Sequence, residues 1–203
     1  MKRIGLRAIV KRRFKATTDS KHTLPIYPNL LNQRFYRSKP NQVWVGDITY
    51  IRIGQNKWLY LTMILDLCTR KVIGWAMDKR MQAGLVCDAL TMALYRQGNP
   101  KGVVVHTDRG SQYCSKSYQK LIKQNQLKGS MSGKGNCYDN ALAESFFHTL
   151  KSEHVYGYYY ETHEEAKRSI FWYIESYYNR IRRHSGIDYM SPNDFEKKAL
   201  KNA

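Results

Sequence analysis

Three strand-like segments joined by short turns are the feature of this chain that most restricts its fold. Residues 43–51, 58–67 and 72–77 are rich in β-branched and aromatic side chains, a composition typical of strands. The turns between them, at residues 54–56 and 69–71, are short. Because a parallel pair needs a much longer crossover, these turns predict an antiparallel meander.

Helices and strands alternate after the meander. Apolar residues recur at helical spacing over residues 83–94. From there on we predict a strand at 103–106, a helix at 115–126, a strand at 127–132, a helix at 140–156 and a long helix from Thr162 to about Arg183. Antiparallel strands followed by helix–strand crossovers predict an α/β fold. Its sheet has five mixed strands, three antiparallel and then two parallel, and helices flank it.

The charge of the chain indicates its partner. The formal net charge is +18, from 34 Lys and Arg against 16 Asp and Glu, while 42% hydrophobic residues suffice for a folded core. Nucleic acid is the favoured polyanion, and we expect no membrane partner because no basic amphipathic helix, lipidation motif or apolar leader is present. We expect a cytoplasmic protein. The four Cys form no Cys-x-x-Cys pair, so a closed zinc site is not predicted.

The basic excess is concentrated at the N-terminus. Residues 1–40 hold eleven Lys and Arg and a single acid, Asp19. Apolar periodicity is weak there and three prolines interrupt the segment, so we interpret it as a basic arm that contacts DNA rather than as a folded domain. A solvated tail has the same composition and stays an alternative.

Three acidic residues lie at strand and helix positions where they could form one site. Asp47 lies in the middle of the first strand, Asp108 ends the fourth, and Glu144 lies one turn into a helix. Each alone has an ordinary explanation: an outward-facing edge residue, a turn-initiating Asp, or a Glu that favours a helix N-terminus. If the first and fourth strands are neighbours, however, Asp47 and Asp108 meet and the helix can bring Glu144 over them.

Converging carboxylates predict a metal site. Three like charges repel unless cations neutralise them. Oxygen-only ligands with open positions suit Mg²⁺ or Mn²⁺. Two such ions, roughly 3.5–4 Å apart, can promote displacement at a phosphodiester.

Basic and polar residues near these acids are candidates for DNA contact. His148 and Lys151 follow Glu144 on the same helix face, and a flexible polar loop precedes that helix. A solvated or ion-paired lysine and ordinary loop polarity are the alternatives. The candidate DNA-binding residues are Lys151, His148, Lys134, Asn136, Tyr138, Arg109, Arg12 and Arg13.

These motifs resemble a known family. Residues 44–50, 66–75, 106–113 and 135–147, with 150–153 and the tail at 178–180, 184 and 191–192, are similar to the insertion-sequence transposases related to retroviral integrase, of the second-reading-frame (OrfB) type. That family is marked by two Asp and a Glu with thirty-five residues between the second Asp and the Glu. Thirty-five residues separate Asp108 from Glu144, and Lys151 matches the basic residue expected seven positions after the Glu.

The resemblance implies a ribonuclease-H-like core, Mg²⁺ dependence, DNA cutting at transposon ends and joining to target DNA. It also implies a homo-oligomer in the active complex and a first-frame DNA-binding partner or fusion. We expect residues 1–40 to be a remnant of an upstream DNA-binding region, 41–160 the catalytic core and 161–203 its helical extension. Gly46 departs from the family, which commonly has Thr there. A catalytically idle DNA-binding remnant or inhibitor, and a ribonuclease-H-type nuclease, are the alternative functions.

Overall fold

A five-stranded mixed sheet forms the centre of the protein in a computed structural model that describes residues 23–133 and 137–201. Its strands are β1 (Val43–Ile53), β2 (Lys57–Asp66), β3 (Val72–Asp78), β4 (Val104–Thr107) and β5 (Lys128–Met131). The order across the sheet is β3-β2-β1-β4-β5; the β1–β2 and β2–β3 pairs are antiparallel, and the β1–β4 and β4–β5 pairs are parallel. The predicted sheet of three antiparallel and two parallel strands is confirmed, and the first and fourth strands, whose adjacency the sequence left open, are neighbours.

In the described part of the chain, five α-helices flank the sheet: α1 (Ala83–Arg96), α2 (Lys116–Gln124), α3 (Ala141–Glu153), α4 (His163–Trp172) and α5 (Pro192–Lys201). Thr162 caps the start of α4, where the backbone N–H of Glu165 donates to its Oγ1 at 3.2 Å. Short 3-10 turns lie at Cys137–Asn140, Val155–Gly157 and Ser185–Ile187.

The predicted long helix to Arg183 is wrong in its second half. After α4 the backbone continues as a π-helix over Tyr173–Tyr178 and then leaves the helical path. Asn179 explains the exit, because its side-chain amide pairs with both backbone groups of Val72 at the start of β3: the N–H donates at 3.0 Å and the carbonyl accepts at 2.9 Å. The chain after Asn179 is therefore held at the sheet edge, and α5, which was not predicted, follows it.

Strand alternation divides the core between the two faces of the sheet. Val45 and Ile51 belong to the buried cluster under α3 and α4, whereas Trp44 and Ile48 belong to the cluster under α1 and α2. Asp47 has the parity of Val45, so its side chain points towards the α3 layer.

Part of the N-terminal segment packs on the core. Leu31 is fully buried, and the ring of Tyr27 covers Gly129 so closely that an added Cβ would lie 2.5 Å from it. The N–H of Leu30 donates to Oγ of Ser130 at 2.9 Å. Residues 24–31 thus run along β5, while residues 1–22 lie outside the described chain.

The remaining sequence expectations concern cysteines and membranes. Cys68 and Cys114 are buried and Cys87 is half-buried, and the three are free thiols. Cys87 and Cys114 pack among apolar neighbours. Over residues 23–133 and 137–201, the helices fall short of the length and apolarity needed to cross a bilayer.

Candidate active site

Parallel pairing of β1 with β4 brings the first two acids together. Val45 is opposite His106 in this register, so two residues further along each chain Asp47 is opposite Asp108. Asp47 accepts a hydrogen bond from the N–H of Ile48 at 2.8 Å, and Asp108 accepts one from the N–H of Gly110 at 2.9 Å. Each carboxylate is therefore oriented by its own backbone at the same place on the sheet.

The third acid comes from the first turn of α3. This helix packs on the sheet through Ala143, Phe147 and Leu150, which are buried. Its entry is fixed by Asn140, whose Nδ2 donates to the carbonyl of Gly46 at 3.4 Å. Glu144 is exposed on the flank of α3 that faces Asp108.

The carboxylates affect one another's ionisation. Burial, followed by the charge of Asp108 and more weakly that of Glu144, holds the pKa of Asp47 well above its ordinary value, although the Ile48 N–H and Lys151 act in the opposite direction. Burial and then Asp108 also raise the pKa of Glu144. The structure thus brings all three acids of the predicted triad within electrostatic range.

The donor chemistry of the three acids fits a hard divalent cation. Three carboxylates that destabilise one another's charge supply the oxygen ligands that such an ion prefers. In the described residues, however, no three His, Cys, Asp or Glu side chains lie close enough together to hold a single ion in their present positions. Moving the three carboxylates closer together would increase their mutual repulsion, and a bound divalent cation would offset that repulsion.

Lys151 is the basic residue that joins this cluster. Its Nζ lies 5.0 Å from the centre of the Tyr50 ring, a cation–π contact. Burial lowers the pKa of Lys151, and the charge of Asp47 opposes that shift. A half-buried ammonium beside Asp47 can attract a phosphate to the acids. His148 is exposed on the same helix, one turn after Glu144.

The other candidate DNA contacts divide into two groups. Arg109 uses its Nε to donate to the carbonyl of Ser132 at 2.7 Å, which ties the turn after β4 to the end of β5. Arg12, Arg13, Lys134 and Asn136, together with the side chain of Tyr138, lie outside what the structure describes, so their roles stay predictions.

Two residues behind the acids were missed at the sequence level. Thr62 of β2 donates from Oγ1 to the carbonyl of Asp47 at 3.1 Å and lies 3.3 Å from the hydroxyl of Tyr113. Burial, then the charges of Asp47 and Asp108, raises the pKa of Tyr113 far above its ordinary value. The available signal was a polar Thr within the apolar run of β2.

The loop before α3 is anchored by Asp139. Its Oδ2 accepts from the Asn29 amide at 2.9 Å and from the Gly133 N–H at 2.7 Å, and its Oδ1 accepts from Gln33 at 3.1 Å. The Asp-Asn pair before α3 therefore holds the N-terminal segment and the helix entry to the sheet, a positioning role that spacing alone did not reveal.

A mixed sheet of this order, with acids on its two central strands and on a covering helix, defines a ribonuclease-H-like nucleic-acid-processing core. Two family models, both described as integrase core domain, match residues 37–137 and 144–200. The transposase InsF of insertion sequence IS3A from Escherichia coli K12 is 52% identical over 98% of this chain and 69% of its own length. A 31 kDa protein of insertion element IS600 from Shigella sonnei is 50% identical over 97% of this chain and 72% of its own length.

Solved structures agree with the fold. A chain of the simian T-cell lymphotropic virus intasome matches with a TM-score of 0.65 and 18% identity, over 88% of this chain and 60% of that one. The catalytic domain of Mos1 mariner transposase matches with a TM-score of 0.58 and 12% identity, over 79% of this chain and 76% of its own.

The chain belongs to the insertion-sequence transposases of the integrase-core superfamily. Its catalytic function is that of a DNA transposase or integrase, and its enzyme class is the polynucleotidyl transferases of the DDE type. The predicted resemblance is thereby confirmed, while the roles of individual residues belong to the proposal below.

Proposed function

We propose that this chain cuts DNA at the ends of an insertion sequence and joins them to target DNA, with Asp47, Asp108 and Glu144 as ligands of divalent metal. The observation that carries the assignment is the register of β1 with β4, which brings Asp47 beside Asp108, where the charge of Asp108 raises the pKa of both Asp47 and Glu144. Such an arrangement is costly for a fold and is characteristic of sites that bind cations. A magnesium-bound HTLV-2 integrase core, with a TM-score of 0.59, supports the choice of metal.

The proposed reaction has two displacements at phosphorus. In the first, water attacks a phosphodiester, the bond from phosphorus to the 3′ oxygen breaks, and a free 3′-OH leaves. In the second, that hydroxyl attacks a phosphodiester of the target and another 3′ oxygen leaves. Bound Mg²⁺ or Mn²⁺, two ions in our proposal, would polarise the phosphate and stabilise the leaving oxygen.

The chain's own residues then have separate tasks. Asp47 and Asp108 would hold metal from the sheet, and Glu144 would complete the site from α3. Lys151 would hold a phosphate next to Asp47, and Thr62 with Tyr113 would keep the β1 backbone beneath Asp47 in place. Asp47 needs no proton-transfer role in this scheme.

DNA is the proposed substrate, and the net charge of +18 supports it. We further propose that the active complex contains several copies of the chain. The trimeric and dimeric forms of the HTLV-2 integrase core are consistent with that idea. A first-frame DNA-binding partner that recognises the transposon ends stays a prediction from the sequence.

The test is a cleavage and joining assay on duplexes that carry candidate end sequences, with Mg²⁺ present. Asp47→Asn, Asp108→Asn and Glu144→Gln should each lose both products, whereas Glu164→Gln, an exposed acid on α4 paired with Lys167, should retain them. An Asp47→Asn protein that still cleaves would overturn the assignment.

A second readout separates metal binding from folding. Mg²⁺ should raise the Tm of the wild-type chain, because a ligand that binds only the folded state stabilises it, and Asp47→Asn should lose that increase. Without metal the same variant should melt at or above the wild-type temperature, since Asn removes a charge that burial and Asp108 disfavour.

A further inference from the structure

A second cleft lies beside α3, outside the carboxylate cluster. It has a volume of about 480 Å³. Its walls are Ser145 and Thr149 of α3, Arg70 in the turn between β2 and β3, and the segment at residues 182–189 that follows the π-helix. Nothing in the proposed reaction uses this cleft.

The cleft is strongly basic. All of its charged lining side chains are arginines: Arg70, Arg182 and Arg183. Arg182 forms an ion pair with Glu153, because its Nε and Nη2 donate to the Glu153 carboxylate at 2.7–2.9 Å. The charges of Arg70 and Arg183 can therefore attract an anion that enters the cleft.

Arg70 has a donor that the described protein does not satisfy. Its Nη1 is buried without an acceptor among the described residues. Asp66, an acid whose charge acts on Arg70, already accepts from the N–H groups of Cys68, Thr69 and Asn41. A buried donor on a charged group is costly when it is unpaired, so an anion that reaches this donor would gain a charge-assisted hydrogen bond.

The lowered pKa of His184 is consistent with the same positive potential in the cleft. Burial, then Arg182 and Arg70, lowers its pKa to about 4, and its Nδ1 lies 3.2 Å from Nη1 of Arg182. Two guanidinium groups therefore act on a single imidazole inside this cleft. Ser145 and Thr149, which carry hydroxyl groups, also line the cleft, and a combination of arginine and hydroxyl donors suits a tetrahedral oxyanion.

The position of the cleft connects it to the carboxylates. Ser145 follows Glu144 directly on α3, so the two sites lie on neighbouring flanks of one helix, within a helix width of about 10–12 Å. Each strand of B-DNA has one phosphate per about 3.4 Å of helix axis. A strand with one phosphate at the acids can therefore place another, a few nucleotides away, at the cleft.

We propose that this cleft binds a phosphodiester group of the DNA backbone through Arg70 and Arg183, and so positions the strand that is cut at the carboxylates. The proposal rests on the proposed function for the identity of the DNA, but it concerns a different set of residues. Because the contact is to a phosphate, it contributes affinity and register without reading the base sequence.

The test is the salt dependence of DNA binding without metal, measured by fluorescence anisotropy with labelled duplexes in EDTA. The variant is Arg70→Gln/Arg183→Gln. The control, Arg52→Gln/Lys57→Gln, removes two charges from the exposed hairpin at the far end of β2. Loss of one phosphate contact lowers the slope of log K against log[salt] by about 1.

We expect that decrease in the cleft variant, equally on unrelated duplex sequences, and a smaller one in the control. Arg70→Lys/Arg183→Lys should keep most of the wild-type slope. Equal slopes for the cleft variant and the control would overturn the proposal. If Arg70→Gln prevents folding, Arg183→Gln alone is decisive, because Arg183 is exposed and its removal leaves the core intact.

Two further outcomes distinguish DNA phosphate from free phosphate as the ligand, and the cleft proposal from the proposed activity. If inorganic phosphate raises the Tm of the wild type but not of the cleft variant, while both bind DNA with the same slope, the cleft is a free-anion site and the DNA proposal fails. The wild type and the cleft variant could differ in slope as expected while the wild type never cleaves DNA. That result would overturn the proposed activity and leave this inference standing.

Discussion

Gly74 of β3 provides a quantitative test of how the sheet is packed against α1. A methyl group added at Gly74 would lie 2.2 Å from the carbonyl oxygen of Ala89 and 2.8 Å from Cβ of Ala93. Since comfortable contact needs about 3.5 Å, Gly74→Ala must push α1 away from β3 by about 1 Å. Most of the crowding atoms are backbone, so no side-chain rotation can relieve it.

The displaced helix sets the magnitude. The apolar face of α1, including Leu85, Val86 and Leu90, is buried against the sheet. Overpacking a core costs about 1–3 kcal/mol, and a clash with backbone belongs at the upper end. At about 2–4 °C per kcal/mol for a chain of this size, we expect the Tm to fall by roughly 6–12 °C.

Thermal unfolding followed by circular dichroism measures the effect, with Gly84→Ala as the matched control. Gly84 lies in the first turn of the same helix with nothing within 4 Å of an added Cβ. Its replacement should leave the Tm unchanged or raise it slightly, because Ala favours helix over Gly by up to about 1 kcal/mol. Equal melting temperatures for the two variants would refute the close approach of α1 and β3.

Three further predictions concern the charged residues around α3. Burial alone would raise the pKa of Glu153, but hydrogen bonds, first from Arg182, lower it below 4.5, so its stabilisation is present at neutral pH and lost as the pH falls below that value. Glu153→Gln should therefore lower the Tm most near pH 7 and by progressively less as the pH falls through the lowered pKa, and a decrease of the same size at every pH would contradict the pairing. The pKa of His184, lowered to about 4, makes the folded state resist protonation, so wild-type stability should decline as the pH falls from 6.5 towards that value. In thermal melts across this range His184→Gln should flatten the decline, and an unchanged slope would show that the ring titrates normally. Lys151→Met keeps the side-chain length but removes the charge beside Asp47, and DNA cleavage should fall on the order of tenfold to a hundredfold, whereas Lys151→Arg should retain more activity. Unimpaired cleavage by Lys151→Met would exclude a role for that charge.

Local sequence patterns were enough to predict the strands and their directions. The alternation along residues 43–53 places Val45 and Asp47 on one face and Trp44 on the other, because successive strand residues point to opposite sides. Short turns dictated antiparallel neighbours, and helix-length insertions dictated parallel ones. These rules act between residues close in sequence, which is why the number and direction of the strands could be predicted. The pairing of β1 with β4, on which the meeting of Asp47 with Asp108 depends, joins segments about 60 residues apart and was decided by the tertiary structure.

Other elements depended on partners far away in the chain. The periodicity of residues 163–183 suggested one helix, but Asn179 bonds to the backbone of Val72, 107 residues earlier, and the helix ends there. Tyr113 reaches Thr62 across 51 residues to brace the acid-bearing strand. No local pattern encodes such pairs, since each depends on how the layers stack.

The sequence by itself determined which residues carry the chemistry: two Asp and a Glu at a telling spacing, a Lys two turns further, and a large basic excess. Only the tertiary structure decided how their charges act. Burial beside Asp108 makes Asp47 hard to ionise, and folding of the π-helix and the segment after it places Arg182 and Arg183 across from Arg70. Desolvation and the facing of like charges are properties of three-dimensional contacts, and they arise only when segments distant in the chain are packed together.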